Sequence, residues 1–440
     1  MRIGLLTPYT GTNLGDGAIQ TAVIAGLRNR LPGVEFLGIT LDPAETTRRH
    51  GIPAVPIMGL FVPFYSNALF VRNHSPSESR HCPQGVRTIE PSRILRALVK
   101  RLVPSARTWA TIPTELRHLR NAWKTVHQLN LLLISGGGQL DEEFGGPWGH
   151  PYAMYVWTAL ARRAGVPVAF ASVGAQSLRH PLTRTFVRSA LGAAAYRSYR
   201  DPGTQQAVSG WPFTALDLHV PDLAFSLPLS PSHFTDLRNG PRLKPYAQGA
   251  RIGISPIAYG HPTLWPTRHP GVYRRYLHTL ARSCSWLIQQ GAELVLFHSS
   301  GSDKVAISDL VVELEQIRAP SQSLAIRRPQ IVTVDDFLRE IAGVDLVVAS
   351  RLHGILMSHI LRKPVLAISF DRKVDAHMND LGQSSYTLGI ETFNVEQLTE
   401  RFVALSQEAA PQCEFIDRKV RECQAAVEKQ YDTVARLCRG

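Results

Sequence analysis

The sequence predicts an α/β protein of two Rossmann-like domains whose parallel sheets face a cleft. Three observations carry that expectation. A chain of 440 residues is too long for one ordinary core. Its residues are 44% hydrophobic and 19% charged, which is enough apolar material for buried sheets and too little charge for wholesale disorder. Short apolar runs alternate with helix-length patterns, as βαβ units require.

The runs follow in order. "RIGLLTP", Arg2 to Pro8, is a first strand, its apolar stretch too short for the core of a signal peptide. "TGTNLGDGAIQTAVIAGL" comes next: Asn13 and Gly15 suit a tight turn, Asp16 suits an N-cap, and Ile19, Val23 and Leu27 carry a helix face. "VEFLGIT" (Val34 to Thr40), "NLLLISGGG" (Asn130 to Gly138) and "VPVAFASVG" (Val166 to Gly174) continue the first domain. Between the last two, "PYAMYVWTALARRAG" is a helix closed by Gly165. The second domain is expected to hold strands at "ARIGISPIA" (Ala250 to Ala258), "AELVLFHSS" (Ala292 to Ser300), "QIVTV" (Gln330 to Val334), "VDLVVAS" (Val344 to Ser350) and "PVLAISF" (Pro364 to Phe370). The boundary falls between Ser226 and Gly249, where prolines, serines and glycines replace the periodic pattern. The expected units are domains at 1–230 and 250–395 and a helical segment at 396–440 that packs back on the first.

A segment at about 50–125 interrupts the first domain. Gly51 to Val71 carries no charge and is long enough for a membrane-spanning helix, but Pro53, Pro56 and Pro63 would break it and leave backbone groups unsatisfied in lipid. A buried connection or hydrophobic lid is the simpler reading, an interfacial element the other. From Arg72 to Lys124 there are eleven lysines and arginines against three acids, and "RILRALVKRLV" separates Ile94, Leu95, Leu98 and Leu102 from Arg93, Arg96, Lys100 and Arg101. That is the pattern of a basic amphipathic helix, able to lie on an anionic membrane or to pack on its own domain.

The formal net charge of +13 favours anionic partners. Nucleic acid is not expected among them, because no nucleic-acid module accompanies the charge. Cys82, Cys284, Cys413, Cys423 and Cys438 show neither C-x-x-C nor metal-ligand spacing with histidines, so no metal is expected, and an odd count fits free thiols in a reducing cytoplasm.

Chemistry-bearing residues gather at strand ends. "ISGGGQLDEEFGG" places Gly136, Gly137 and Gly138 where backbone can approach a ligand and offer amides to an anion, yet it matches neither G-x-G-x-x-G nor the Walker loop. "YRSYRDPGT" makes Arg200 a candidate clamp for carboxylate or phosphate, with a surface pair to Asp201 as the alternative. "LFHSSGSDK" sets His298, Ser300 and Asp303 past a strand, suited to recognising substrate hydroxyls. "SRLHGILMSHIL" puts Arg351 and His353 at a strand-to-helix turn, where free amides and the helix dipole already favour an anion. Arginine adds fixed charge there, and histidine a proton that moves near neutral pH.

Taken together and in order, "NLGDGAI", "SGGGQL", "RSYRD", "PDLAFSL" with Asp222, "FHSSGSDK", "SRLHGILMSHILRKPV" and "ISFDRKVDAHMNDLG" resemble the polysaccharide pyruvyl transferases. The resemblance spans nearly the whole chain outside the 50–125 segment, and "SRLHG" with "SFDRKV" is its sharpest part. The chain departs from the pattern in the proline of "RDPGT". The resemblance implies a fold like two-domain glycosyltransferases of the GT-B kind. It also implies phosphoenolpyruvate as co-substrate, with no further cofactor, and a sugar hydroxyl pair as acceptor, giving a pyruvate ketal and phosphate. On that basis His353 is the acid that protonates the methylene carbon, Arg200 and Arg351 clamp phosphate and carboxylate, Lys373 adds a phosphate contact, and the three glycines line the donor site. Asp16 orients or deprotonates an acceptor hydroxyl, Asn13 positions one, and His298, Ser300 and Asp303 complete the acceptor side. The acceptor belongs to cell-surface glycan synthesis. If the 50–125 segment faces a membrane, a lipid-linked saccharide on the cytoplasmic leaflet fits.

Two alternatives stand beside this reading. One is a nucleotide-sugar glycosyltransferase of similar architecture, for which Glu400 and Glu408 are the available paired acids. The other is a non-catalytic carbohydrate-binding or membrane-scaffold protein.

Overall fold

The computed structural model describes residues 1–59, 112–234 and 249–439, apart from 10, 12, 143–144, 176–177, 214–216, 266–267 and 318–324. The basic amphipathic helix expected at Arg93 to Val103, and the apolar stretch from residue 60 onward, lie outside these residues.

Two parallel sheets organise the chain. The first contains β1 (Arg2–Leu6), β2 (Glu35–Thr40), β3 (Ala54–Pro56), β4 (Leu131–Ser135), β5 (Val168–Val173), β6 (Tyr196–Tyr199) and β7 (Asp217–His219), in the order β3-β2-β1-β4-β5-β6-β7. The second contains β8 (Arg251–Ser255), β9 (Glu293–Leu296), β10 (Ile326–Arg327), β11 (Leu346–Ala349), β12 (Val365–Ser369) and β13 (Thr387–Gly389), in the order β10-β9-β8-β11-β12-β13. This is a fold of two Rossmann-like lobes facing a cleft, as in GT-B enzymes. Strands β4, β5, β11 and β12 are buried along their whole length. Their near-continuous apolar runs follow from having helices on both faces. In each sheet the strand order reverses once, between β1 and β4 and between β8 and β11, and ligands of open α/β sheets sit outside such reversal points.

Three local expectations need correction. "QIVTV" is not a strand: Thr333 accepts from the Asp336 amide and Asp336 accepts from the Thr333 amide, a capping box that turns the run into the start of helix Val334–Ala342. The strand at that sheet edge is the shorter Ile326–Arg327. Asp16 is not the N-cap of helix Leu14–Arg28, since Asn13 takes that position, its side chain accepting from the Gly15 amide at 3.0 Å. The described flanks of the 50–125 segment are integral to the first lobe. Ala54–Pro56 pairs with β2, the Ile57 carbonyl accepts from buried Trp157, and Glu115 accepts from the Gly59 amide. Helix Ile112–Val126 presents Leu116, Arg117, Arg120 and Lys124 to solvent.

The chain ends in helices Val395–Gln407 and Ala409–Arg439. The last one returns to the first lobe and is fastened there by a buried polar network. Gln430 accepts from Tyr196 at 3.0 Å and from Ser198, and donates to Ser172 Oγ at 3.0 Å. Ser172 has φ of 49°, unusual for a non-glycine residue, at the irregular register between β5 and β6. Replacing Gln430 with Leu removes the partner of the Tyr196 hydroxyl and of Ser172 Oγ, whereas Ser198 Oγ still accepts from the Ser172 amide at 2.7 Å, so we expect a destabilisation of roughly 2–4 kcal/mol by denaturant unfolding. A loss below about 0.5 kcal/mol would show that the network does not hold the helix.

Candidate active site between the lobes

Loops after β1, β4 and β6 meet loops after β9, β11 and β12 at the junction of the lobes. The backbone itself crosses: the Leu14 amide donates to the Ser299 carbonyl at 2.9 Å, and Asn13 bridges Ser300 in antiparallel fashion. Asn13 Nδ2 also donates to Asp16 at 2.9 Å. Helix Leu14–Arg28 then brings Gly15 against His353, closely enough that a Cβ on Gly15 would lie 2.0 Å from the imidazole. Only glycine permits that approach.

Gly136 and Gly137 take φ of 58° and 67° at the end of β4, the left-handed region that glycine enters without strain. Gly137 accepts from the Gly174 amide, and Gly174 in turn leaves room for Arg200, whose Nε would be 2.5 Å from a Cβ there. Arg200 is therefore buried rather than forming a surface pair. Its guanidinium donates to Asp222 at 3.1 Å, while Asp201 lies 3.9 Å away and caps helix Pro202–Val208. Burial alone would lower the Arg200 pKa, but Asp222, Asp201 and Asp141 outweigh it and keep the cation.

Arg351 caps the start of helix Leu352–Ile360 and forks onto Asp303, at 2.5 and 3.0 Å, with Ser302 at 3.2 Å and the Trp265 ring 6.0 Å away. Asp303 is 1% exposed and its second oxygen also accepts from the Ala258 amide, so it holds the arginine in place and has no surface left for a saccharide. Lys373 reaches across the lobes to Asp141 at 2.9 Å, and a Cβ on Gly138 would crowd that carboxylate. His298 is buried with its Nδ1 unpartnered, and Ser300 Oγ pairs with Ser302. Glu408 caps the end of helix Val395–Gln407 and accepts from the Tyr386 hydroxyl at 2.6 Å.

A cavity of about 300 Å³ opens at the junction, lined by the cations Arg200 and Lys373, by the carboxylates of Asp201, Asp222, Asp380 and Glu422, and by His377 among others. Neither His353 nor Arg351 is part of that lining, although Leu352 between them is; His353 Nε2 is buried and unpartnered. Burial pushes the imidazole below its ordinary pKa; Asp222 and Asp16 oppose that, and Arg200 and Arg351 reinforce it. Burial pushes Asp16 up, against His353, Arg200 and Lys373. Burial thus disfavours the charged form of each; an entering anion favours the imidazolium and makes the Asp16 carboxylate a stronger base. Among the described residues no cluster of histidine, cysteine and acid side chains could hold a metal ion.

Asp141, Asp222, His359 and His377 received no role from the sequence. Two of them had a local signal: Asp141 follows the glycines by three residues, and His377 stands one helical turn after Lys373 on helix Arg372–Asp380. Buried histidines also set an acid limit on stability. His50, His298 and His377 are each pushed by burial to about 4, below the ordinary 6.5. Between those values the unfolded chain binds more protons than the folded one, so stability falls as pH drops from 6.5 towards 4. A melting temperature that stays flat over that window would contradict the burial of these rings.

Fold and site together define a two-lobed, GT-B-like α/β protein with a pocket of mixed charge at the lobe junction. The chain belongs to the polysaccharide pyruvyl transferase family, whose model matches residues 13–372. No curated protein gives a significant sequence match. Solved structures match over nearly the full length at low identity. A glycosyltransferase from Rickettsia africae is 8% identical with a TM-score of 0.56, over 99% of this chain and 98% of that one. A UDP-GlcNAc 2-epimerase from Neisseria meningitidis bound to UDP-GlcNAc is 10% identical at 0.52, covering 99% of each chain. A trehalose 6-phosphate synthase from Burkholderia multivorans is 10% identical at 0.54, over 99% and 96%. At such identity these likenesses carry the architecture. No helix of the described residues is long and apolar enough to cross a membrane.

Proposed function

We propose that the protein transfers the enolpyruvyl-derived group of phosphoenolpyruvate to a hydroxyl pair of a saccharide, forming a pyruvate ketal and phosphate. The observation that carries this reading is that Arg200 and Lys373, from opposite lobes, line one cavity at the junction, while the imidazole of His353, on the turn that carries Arg351, interacts with the charges of Arg200, Asp222 and Asp16. It is supported by family membership over residues 13–372. Arg200 and Lys373 face the donor's anionic groups from the cavity, and Arg351, fixed by Asp303, adds positive potential behind His353. The imidazolium of His353 gives its proton to the methylene carbon, leaving C2 electron-poor. One sugar oxygen bonds to C2 as its proton passes to a base, for which Asp16 is the candidate. The C2–O bond to phosphate then breaks, the second hydroxyl oxygen closes the ring, and its proton leaves with the phosphate. The two hydroxyl protons are thereby accounted for: the one taken by the base restores the proton that His353 gave to the new methyl group, and the other leaves on phosphate.

A saccharide acceptor carried on a lipid, with residues 50–125 at an anionic membrane surface, belongs to the same proposal, and a cytoplasmic place of action goes with it. The second reading, a nucleotide-sugar enzyme, is favoured by the full-length likeness to the epimerase bound to UDP-GlcNAc. Calorimetry with phosphoenolpyruvate against uridine and guanosine diphosphate sugars separates the two. Binding of phosphoenolpyruvate, with phosphate release in the presence of saccharides, supports pyruvyl transfer; tight binding of a nucleotide sugar alone overturns it. Arg351→Lys is expected to raise the donor KM by about tenfold or more, because a point charge cannot keep both bonds to Asp303. An unchanged KM would remove Arg351 from the donor side.

A further inference from the structure

We propose that His377 presents an Nδ1–H to the anionic donor as a neutral hydrogen-bond donor, and that buried His359 fixes it in that tautomer. The inference rests on the reading that the cavity takes the donor's anion.

His377 lines the cavity together with Arg200 and Lys373 and with the carboxylates of Asp201, Asp222, Asp380 and Glu422. Its Nε2 lies 2.9 Å from Nδ1 of His359, and the two rings stack at 26° with centroids 5.1 Å apart. Phe225 flanks His377 at 6.1 Å, so the ring is held between neighbours. His359 is fully buried, and its Nε2 has no partner. Two neutral imidazoles can share their hydrogen bond in either sense. If His377 donated through Nε2, the His359 proton would sit on Nε2, an N–H buried without an acceptor. If His359 donates through Nδ1, the unpartnered atom is only a lone pair, and His377 keeps its proton on Nδ1, the nitrogen left for the cavity. As with backbone groups, orphaned buried N–H groups are rarer than under-satisfied acceptors, so the second sense is favoured. Burial keeps both rings neutral; Arg200 and His353 reinforce this at His377 while Asp222 opposes it. A neutral donor adds direction where two cations already supply charge.

Histidine-selective carbon and nitrogen NMR of the full chain near neutral pH reads the tautomer in the native protein. Protonation of His377 at Nδ1 is expected, its signal being assigned by its loss in His377→Asn; protonation at Nε2 overturns the inference. Calorimetry with inorganic phosphate and with phosphoenolpyruvate reads the contact. His377→Phe is expected to weaken both by about ten- to a hundredfold, whereas His377→Asn, whose amide nitrogen replaces Nδ1, stays within about threefold of the native protein. His359→Asn keeps the donor to His377, and His359→Leu is expected to raise the phosphoenolpyruvate KM more than it lowers kcat. Equal phosphate affinity in native and His377→Phe proteins, both shown folded by circular dichroism, overturns the proposal. If His377→Phe weakens phosphate while phosphoenolpyruvate supports no turnover, this inference stands and pyruvyl transfer fails.

Discussion

His353→Ala is expected to lower turnover by ~10²–10⁴, the range for removal of a general acid, with folding and donor affinity largely retained. The imidazole has Nε2 buried without a partner, so its loss leaves no hydrogen bond unmade at that atom. The cations proposed to meet the donor, Arg200 and Lys373, keep their own partners in Asp222 and Asp141. Phosphate release from phosphoenolpyruvate, measured with a saccharide panel, and calorimetric donor affinity give the two halves of the test. Turnover within a few-fold of native would remove His353 from the proton transfer. Loss of affinity in place of turnover would make it a binding group.

Gly15→Ala sets two effects against each other. Helix propensity favours alanine by about 1 kcal/mol near the start of Leu14–Arg28. Packing opposes it, because the added carbon would lie 2.0 Å from the His353 ring, well inside contact distance. The ring or the lobes must move, and misplacing a reacting group by about 1 Å can lower the rate about a hundredfold. A fall in kcat of about that size is therefore expected, with little change in melting temperature. If the effect passes through the imidazole, adding Gly15→Ala to His353→Ala should produce almost no further loss, a non-additivity that residues in contact show. Full additivity would mean that Gly15 acts on lobe closure by another route, and native turnover in Gly15→Ala would show that the ring is not held there during reaction.

Local chemistry made much of this molecule legible. The apolar runs of β4, β5, β11 and β12 read directly as buried parallel strands, since a strand covered on both faces has no polar alternation to disguise it. The "QIVTV" segment misled because β-branched residues at a helix start look like a strand until the cap at Thr333 is recognised. Asp16 misled for a related reason: acids are favoured both as caps and in the first turn, and only the backbone distinguishes the two.

Sequence by itself determined the two-sheet architecture, the family, and the strand ends on which Arg200, Arg351, His353 and Lys373 stand, because periodicity and turn chemistry act over a few neighbouring residues. Tertiary structure alone decided the partners of those groups. Asp303 fixes Arg351, Asp222 fixes Arg200, Asp141 meets Lys373 from the other lobe, Gly15 admits His353, and His359 reaches His377. Those contacts join residues from 18 to 338 positions apart, where no local spacing records them, and they exist because two separately folded sheets bring their reversal points to one junction.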